Sequence, residues 1–449
     1  LTTSPPPTSS LPRYEWRLFN NANGTLISSE TRMGPGNPNI TVDFAALGFN
    51  AGLVDVELTV TTEHGSDTLR QNGFIGVFEM NGLDAYINAP EMCRTFDLRN
   101  TINDPQPDPV RGPRFVADVL LVNTQASRTD VACGDLPDGS PGLWQHWVTV
   151  IDPTEVDNDT AVLVLSPEPF SLTQPPTTVS QDLVSLALAT RSPVAVMSAV
   201  PNQPLLVDGV NIFGKELVAA TLRQYLDSSP TGGAVPEASQ PILFPMTKST
   251  IAGMDAVQDF LTGTGLTVND LVLIGTDGLG WTSWLTAATD PEARVQGIAP
   301  VVFDFLNIQP QLEHQVDTLG FFSEVWQPYF DEGLFGEDES EAGFFSRFDS
   351  PEGDLLLSLI DPNSYADRYL GTAKLIVNAA GYQVFPPDSS QFYFNENPAL
   401  QPTGFDNPIA VPGLGGEKKL AYIPSADHSF GGNDALAERF VPWFDSVAD

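Results

Sequence analysis

The chain predicts an α/β fold of the α/β-hydrolase-like kind, a mostly parallel sheet with helices on both faces, a cap or lid insertion and a β-rich N-terminal elaboration. Three observations carry that expectation. After about residue 142, apolar runs of β-formers alternate with amphipathic helical stretches, the pattern of a sheet covered on both faces. The run from Leu271 to Leu285, LVLIGTDGLGWTSWL, reads as a buried strand, a Gly-rich turn and a helix start, with Asp277 where such a fold carries its nucleophile. A late His428, in PSADHSFGG, completes the order elbow residue, acid turn, histidine.

Along the chain, residues 1–13 begin with a Pro/Ser/Thr-rich run and read as an extended tether. Residues 14–142 form the β-rich elaboration. Within it VDVELTV at 54–60 alternates apolar and acidic residues like a half-solvated strand, and NTINDPQPDPVRGPR at 100–114 reads as an irregular connector. Residues 143–449 form the α/β-hydrolase-like domain. Strands are expected at HWVTVI from His146, TAVLVLS from Thr160, PVAVMSAV from Pro193, LVLIG from Leu271, VQGIAPVVF from Val295, AKLIVNA from Ala373 and KLAYIP from Lys419. Before LVLIG, the residues Ile251, Met254, Val257 and Leu261 recur at helical spacing and give one apolar face to pack on the sheet. The long aromatic and acidic stretch 305–360 is placed as the cap or lid.

Charge excludes some functions. With 57 acidic against 20 basic residues and a formal net charge of -37, the chain repels nucleic acid and anionic membranes. Lysine is confined to Lys215, Lys248, Lys374, Lys418 and Lys419, which reads as a solubility or salt adaptation. No run of apolar residues approaches the roughly 20 that a membrane helix needs. His64, His146 and His314 are scattered, and no metal or other cofactor is expected. The acidic run DEGLFGEDESE reads as a solvated loop, with Ca²⁺ binding there the minority reading.

Cys93 and Cys133 suit one disulfide closing a loop in a secreted protein, two free thiols being the alternative. A start at Leu1 fits a removed signal peptide, and sequons at Asn23, Asn39 and Asn158 fit N-glycosylation. The localisation expected is secreted or extracellular.

Several segments then converge. VPNQPL at 200–205, PMTKSTIAGMDAVQDF at 245–260, GWTSWLTAATDP at 280–291, VVFDFLNIQPQLEH ending at His314, DPNSYADRYL at 361–370, PDSSQFYF at 387–394 and IPSADHS at 423–429 resemble the PhoPQ-activated pathogenicity-related (PqaA-type) family, with WQHWVTVIDP at 144–153 and YEW at 14–16 fitting its start. The resemblance implies a secreted or periplasmic α/β-hydrolase-like fold with a Gly-Ala-Ser-Lys-Arg-Gly-Trp elbow, an acid in a Gly-Asp turn and a histidine in Asp-His-Ser. Here the elbow reads Gly275, Thr276, Asp277, Gly278, Leu279, Gly280, Trp281, and the acid turn reads Gly381, Tyr382, Gln383. The segment that should donate to an oxyanion reads Ser166, Pro167, Glu168, Pro169, and proline has no N–H. Only His428 of the triad is kept.

Loss at three parts of one mechanism predicts a secreted, catalytically degenerate glycoprotein that works by binding, as a structural or signalling component with a protein or glycan partner in an extracellular assembly. His428 then reads as a buried histidine hydrogen-bonded to Asp277. The alternative is an extracellular hydrolase with Asp277 as nucleophile and His428 as base, Asp388 or Asp427 being the acids left to orient that histidine.

Overall fold

The structure, a computed structural model, describes residues 12–33, 40, 42–44, 46–49, 52–62, 65–91, 93–125, 142–168, 174–228, 240–320, 322–335, 347–348, 350–395, 413–427 and 434–448. The chain divides into two compact units, Leu1–Asn81 and Gly82–Asp449.

The first unit is an antiparallel sheet of β1 (Arg13–Asn20), β2 (Leu26–Met33), β3 (Gly52–Thr62) and β4 (Gly65–Val77) in the order β2-β1-β3-β4. Its small core gathers Leu18, Val54 and Val56, with Trp16, Ile27 and Phe44 against them. The acidic positions of β3 are not all solvated. Asp55 is buried, and Arg70 Nη2 at 2.8 Å and Asn21 Nδ2 at 2.6 Å donate to its carboxylate.

The second unit opens with α1 (Gly82–Asn88) and is built on a nine-stranded sheet. In chain order its strands are β5 (Thr95–Asn103), β6 (Phe115–Gln125), β7 (Leu143–Pro153), β8 (Thr160–Leu165), then, after α2 (Gln181–Thr190), β9 (Val194–Met197). A hairpin of β10 (Leu205–Val207) and β11 (Val210–Ile212) leads into α3 (Gly214–Asp227), and α4 (Leu243–Thr264) precedes β12 (Asp270–Thr276). There follow α5 (Gly278–Thr289), β13 (Val295–Val301), α6 (Ile308–Leu319), α7 (Gln327–Asp331), the helix Pro351–Ile360, β14 (Ala373–Ala379), β15 (Lys418–Ile423) and a final helix Asp434–Ala448. The spatial order β15-β14-β13-β12-β8-β9-β7-β6-β5 is parallel from β15 to β9 and antiparallel beyond. One crossover, β8 beside both β12 and β9, makes this the strand order of an α/β-hydrolase-like sheet. The expected fold class is the observed one.

Both faces are covered. α4 and α5 pack on one with Leu273, Ile298 and Trp284, and α2 and the final helix pack on the other with Val272, Phe440 and Trp443. Ile251, Met254, Val257 and Leu261 are all buried, as their spacing predicts.

The division expected between 142 and 143 is corrected by the strand pairing. β6 pairs with β7 from Phe115 opposite Pro153 to Gln125 opposite Leu143, so a boundary there would cut a continuous ladder. β5 then pairs with β6, with a bulge between Leu98 and Asn100, which makes Asn100–Asn103 strand and not connector. The proline- and aspartate-rich remainder is a turn closed by Arg114, whose Nε and Nη2 each lie 2.8 Å from the Asp104 carboxylate.

Candidate functional site

The elbow is built by glycines and by strain. Asp277 follows β12 with φ 53° and ψ -124°, a conformation that costs a residue with a Cβ about 1–3 kcal/mol and persists only where its surroundings impose it. Its N–H donates to Val301 O at 2.9 Å, fixing the turn to the end of β13. A Cβ at Gly275 would overlap the Leu279 carbonyl oxygen, and one at Gly280 would lie 2.7 Å from Phe303 Cβ, so the strand and helix approach this closely only with glycine at both. Further non-glycine residues with positive φ, Ala199, Val302 and Ser425, follow the ends of β9, β13 and β15. The strain gathers at the C-terminal edge of the sheet, where α/β folds build their sites.

A second element reaches the elbow from VPNQPL. Asn202 clamps this loop, its Nδ2 donating to Gln145 O at 2.8 Å and Ala199 O at 2.9 Å, and Gln203 Oε1 accepts the Gly214 N–H at 2.9 Å. The hairpin turns at Asp208 and Gly209, both at positive φ, as a tight two-residue turn requires. Together these hold the first turn of α3 and bring Lys215 to the elbow.

The third element is the turn after β14. Gly381 N donates to Ala426 O at 2.8 Å and Tyr382 N to Ala379 O at 3.2 Å, which turns the Tyr382 ring toward the elbow. Lys215 Nζ lies 3.7 Å from Asp277 Oδ2 and donates to the Tyr382 hydroxyl at 3.2 Å, and the Asp277 carboxylate acts on that phenol. The side chains of Lys215 and Asp277 are each 29 % exposed, so the pair is partly withdrawn from water without being sealed. Burial lowers the Lys215 pKa, and the Asp277 charge opposes that shift. Burial first, and then the Asp277 charge, raise the Tyr382 and Tyr329 phenols, which keeps both protonated and able to donate.

Lys215, Asp277 and Tyr329 line a cavity of about 230 Å³. Its walls are mostly apolar, with Trp281, Phe303, Phe305, Trp326, Tyr329 and Phe385 as the aromatic members among aliphatic ones. The 305–360 stretch supplies Phe305, Val325, Trp326 and Tyr329 to the wall, and Trp281 Nε1 donates to Ile360 O at 2.5 Å, tying the end of that stretch to the elbow helix. The arrangement is an ion pair and a phenol at one end of an apolar chamber. It can hold a small molecule with a polar head and a greasy body.

Of the residues expected at the site, the structure brings Asp277 and Tyr382 together and places Pro167 in the cavity wall. His428, Pro169, Cys133, Asn39 and His64 lie outside the described residues, as does most of the acidic run DEGLFGEDESE. The partners found for Asp277 are Lys215 and Tyr382, and Lys215 is the residue that sequence reasoning missed. Asp388, expected to orient a catalytic histidine, is 2.8 Å from His314 Nε2 and accepts from Gln391 Nε2 at 3.0 Å. His146 is fully buried, its Nδ1 3.0 Å from Ser198 O, and burial pushes its pKa down to about 4. Asn23 sits in an exposed turn, whereas Asn158 Oδ1 accepts from Thr160 N at 3.1 Å and Ser192 Oγ at 2.9 Å. Among the described residues no group of three metal-ligating side chains occurs, and no helix is long and apolar enough to cross a membrane.

Comparison with known proteins matches residues 136–449 to a family model described as PhoPQ-activated pathogenicity-related protein. A curated relative, autocrine proliferation repressor protein A of Dictyostelium discoideum, is 29% identical over 356 residues, covering 78% of this chain and 62% of the relative. The chain thus spans somewhat under two thirds of that protein's length. Among solved structures, carboxyl esterase 2 from the fungus Tuber melanosporum aligns with a TM-score of 0.40 at 10% identity, over 82% of this chain and 97% of that one. An S-formylglutathione hydrolase from Agrobacterium tumefaciens aligns with a TM-score of 0.36 at 11% identity, over 74% and 96%.

Proposed function

The chain belongs to the PhoPQ-activated pathogenicity-related protein family, and from that premise we propose that it is a secreted, catalytically degenerate α/β-hydrolase-like glycoprotein that acts by binding a small ligand in the elbow cavity. The observation that carries this reading is the pairing of Asp277 with Lys215 and Tyr382. A carboxylate nucleophile must be free to attack and its ester must then be cleaved by activated water, whereas here an ammonium and a phenol engage it. Pro167, which has no N–H to offer an oxyanion, lines the cavity wall and supports the reading. The exposed sequon at Asn23 supports the secretory part of the reading, as does the finding that no described cysteine is free, in keeping with a Cys93–Cys133 disulfide. An extracellular signalling role is in keeping with the name of the Dictyostelium relative.

Panels of ester, peptide and haloalkane substrates test the proposal. The expected result is no turnover above that of Asp277→Ala. Turnover by the wild type that disappears in Asp277→Ala would sink it.

One observation favours a second reading, hydrolysis with Asp277 as nucleophile and His428 as base: the strained elbow backbone is retained although a binding site has no evident need of it. That reading expects His428→Gln to accumulate an ester on Asp277, visible in the intact mass. Absence of any adduct across the same panels removes it.

A further inference from the structure

Five lysines serve a chain of 449 residues, and their amines are used in different ways. Lys374 is buried and gives its N–H groups to the carbonyls of Tyr369, Thr372 and Gly415 at 2.6 to 2.7 Å. Lys248 donates to the carbonyls of Tyr86 and Ala89, Lys418 to those of Phe394 and Leu414, and Lys419 pairs with Glu417 at the surface. Lys215 differs from all four because it lines a cavity, with a carboxylate and a phenol as its neighbours and aromatic walls beyond.

We propose that Lys215 captures a small aldehyde or ketone with an apolar tail as an imine, with Asp277 as proton carrier and counter-ion and Tyr382 holding the amine in position. The inference rests on the reading of this cavity as a ligand site. Three features support it. The chamber, at about 230 Å³, lies below the ~300–1,000 Å³ of drug-sized sites, so its occupant is small, and the walls favour a hydrocarbon or aromatic body. Burial lowers the Lys215 pKa, which enlarges the neutral, nucleophilic fraction of its amine. Asp277 Oδ2 is 3.7 Å from Nζ, close enough to pass a proton between nitrogen and the departing oxygen once a ligand sits between them.

The chemistry balances without a co-reactant. Neutral Nζ attacks the carbonyl carbon, a C–N bond forms, and the carbonyl π pair moves to oxygen, which takes a proton. The carbinolamine then expels that oxygen as water after a second protonation. From ammonium and carbonyl the products are an iminium and one water: both protons lost by nitrogen leave in the water, and the positive charge stays beside Asp277.

The test uses the full chain, 3-phenylpropanal as probe and cyanoborohydride to fix any imine as a secondary amine, with peptide mapping by mass. Labelling is expected at Lys215 about tenfold or more faster than at Lys248, Lys418 or Lys419, because the site supplies both a neutral amine and a proton carrier. It is expected to vanish in Lys215→Arg and to slow about a hundredfold in Asp277→Asn, a single proton-transfer group being worth on the order of a hundred- to ten-thousandfold. The wild-type map decides the matter even where a variant fails to fold, and circular dichroism identifies such a variant. In parallel, calorimetry with 3-phenylpropan-1-ol, which has no carbonyl, measures cavity binding alone. If the alcohol binds and the aldehyde labels the lysines evenly or not at all, imine capture is overturned and the binding site stands. If neither occupies the cavity, both readings fall.

Discussion

Asp277 and Asp304 both have tyrosine neighbours at the C-terminal edge of the same sheet, and they are opposites in what that setting achieves. Asp304, just past β13, is 1% exposed, and the hydroxyls of Tyr393 and Tyr422 donate to its two oxygens. Among the described residues no lysine or arginine forms an ion pair with it, and burial pushes its pKa up to about 6. Asp277 has a tyrosine, a lysine and an open cavity. The same two side-chain types thus make a sealed polar plug in one place and an addressable charge in the other. What separates them is a cation and access to solvent.

Four experiments can break or sharpen that contrast. The largest effect is expected at the elbow backbone, where Gly275→Ala forces a Cβ onto the Leu279 carbonyl oxygen and should cost on the order of 4 kcal/mol in urea unfolding. Next is Asp304→Ala, which strands two buried or half-buried tyrosine hydroxyls at about 1–3 kcal/mol each and should cost about 3 kcal/mol or more in the same assay. If Asp277→Ala proves equally costly, the distinction between plug and addressable charge fails.

The third concerns pH. The folded pKa of Asp304, about 6, lies above its ordinary 3.8, so between those values the folded state binds more protons than the unfolded one. Its stabilising contribution is therefore present at low pH and lost as pH rises through 6. Between pH 4 and pH 7 the wild type should lose about 2–3 kcal/mol relative to Asp304→Asn, from a shift of about two units at 1.36 kcal/mol each. Asp361, likewise pushed up to about 6, and His146, pushed down to about 4, are common to both proteins and drop out of that difference. The smallest effect is Asp277→Gly, which releases the strained φ of 53° and should leave unfolding unchanged or raise stability by about 1 kcal/mol. A clear loss of stability there would make the Lys215 pair a structural bond.

The elbow was legible because its features are local. A run of β-formers, two glycines that admit a close strand–helix approach and Asp277 in the turn between them lie within a dozen positions. Tyr382 was legible only through the family resemblance, since nothing in Gly381, Tyr382, Gln383 announces an acid turn. Lys215 was hidden because its role depends on contacts 62 and 167 residues away, and its rarity reads naturally as surface chemistry. The Asp304 plug was hidden for the same reason, its partners being 89 and 118 residues distant. The start of the sheet was misplaced because β5 and β6 are joined by a segment rich in proline and aspartate, which has the composition of a linker while its Asp104–Arg114 contact makes it a closed turn.

Those two added strands also bear on how copies of the protein meet one another. Among the described residues the sheet ends at β5, whose outer side would offer a row of N–H and C=O groups to a neighbouring chain. Its bulge at Leu98 and Asn100 breaks the regular spacing such pairing needs, Asp97 and Arg99 put charges along it, and Asn100 Nδ2 donates to Pro176 O at 2.9 Å. Each of these features disfavours edge-to-edge pairing at that strand.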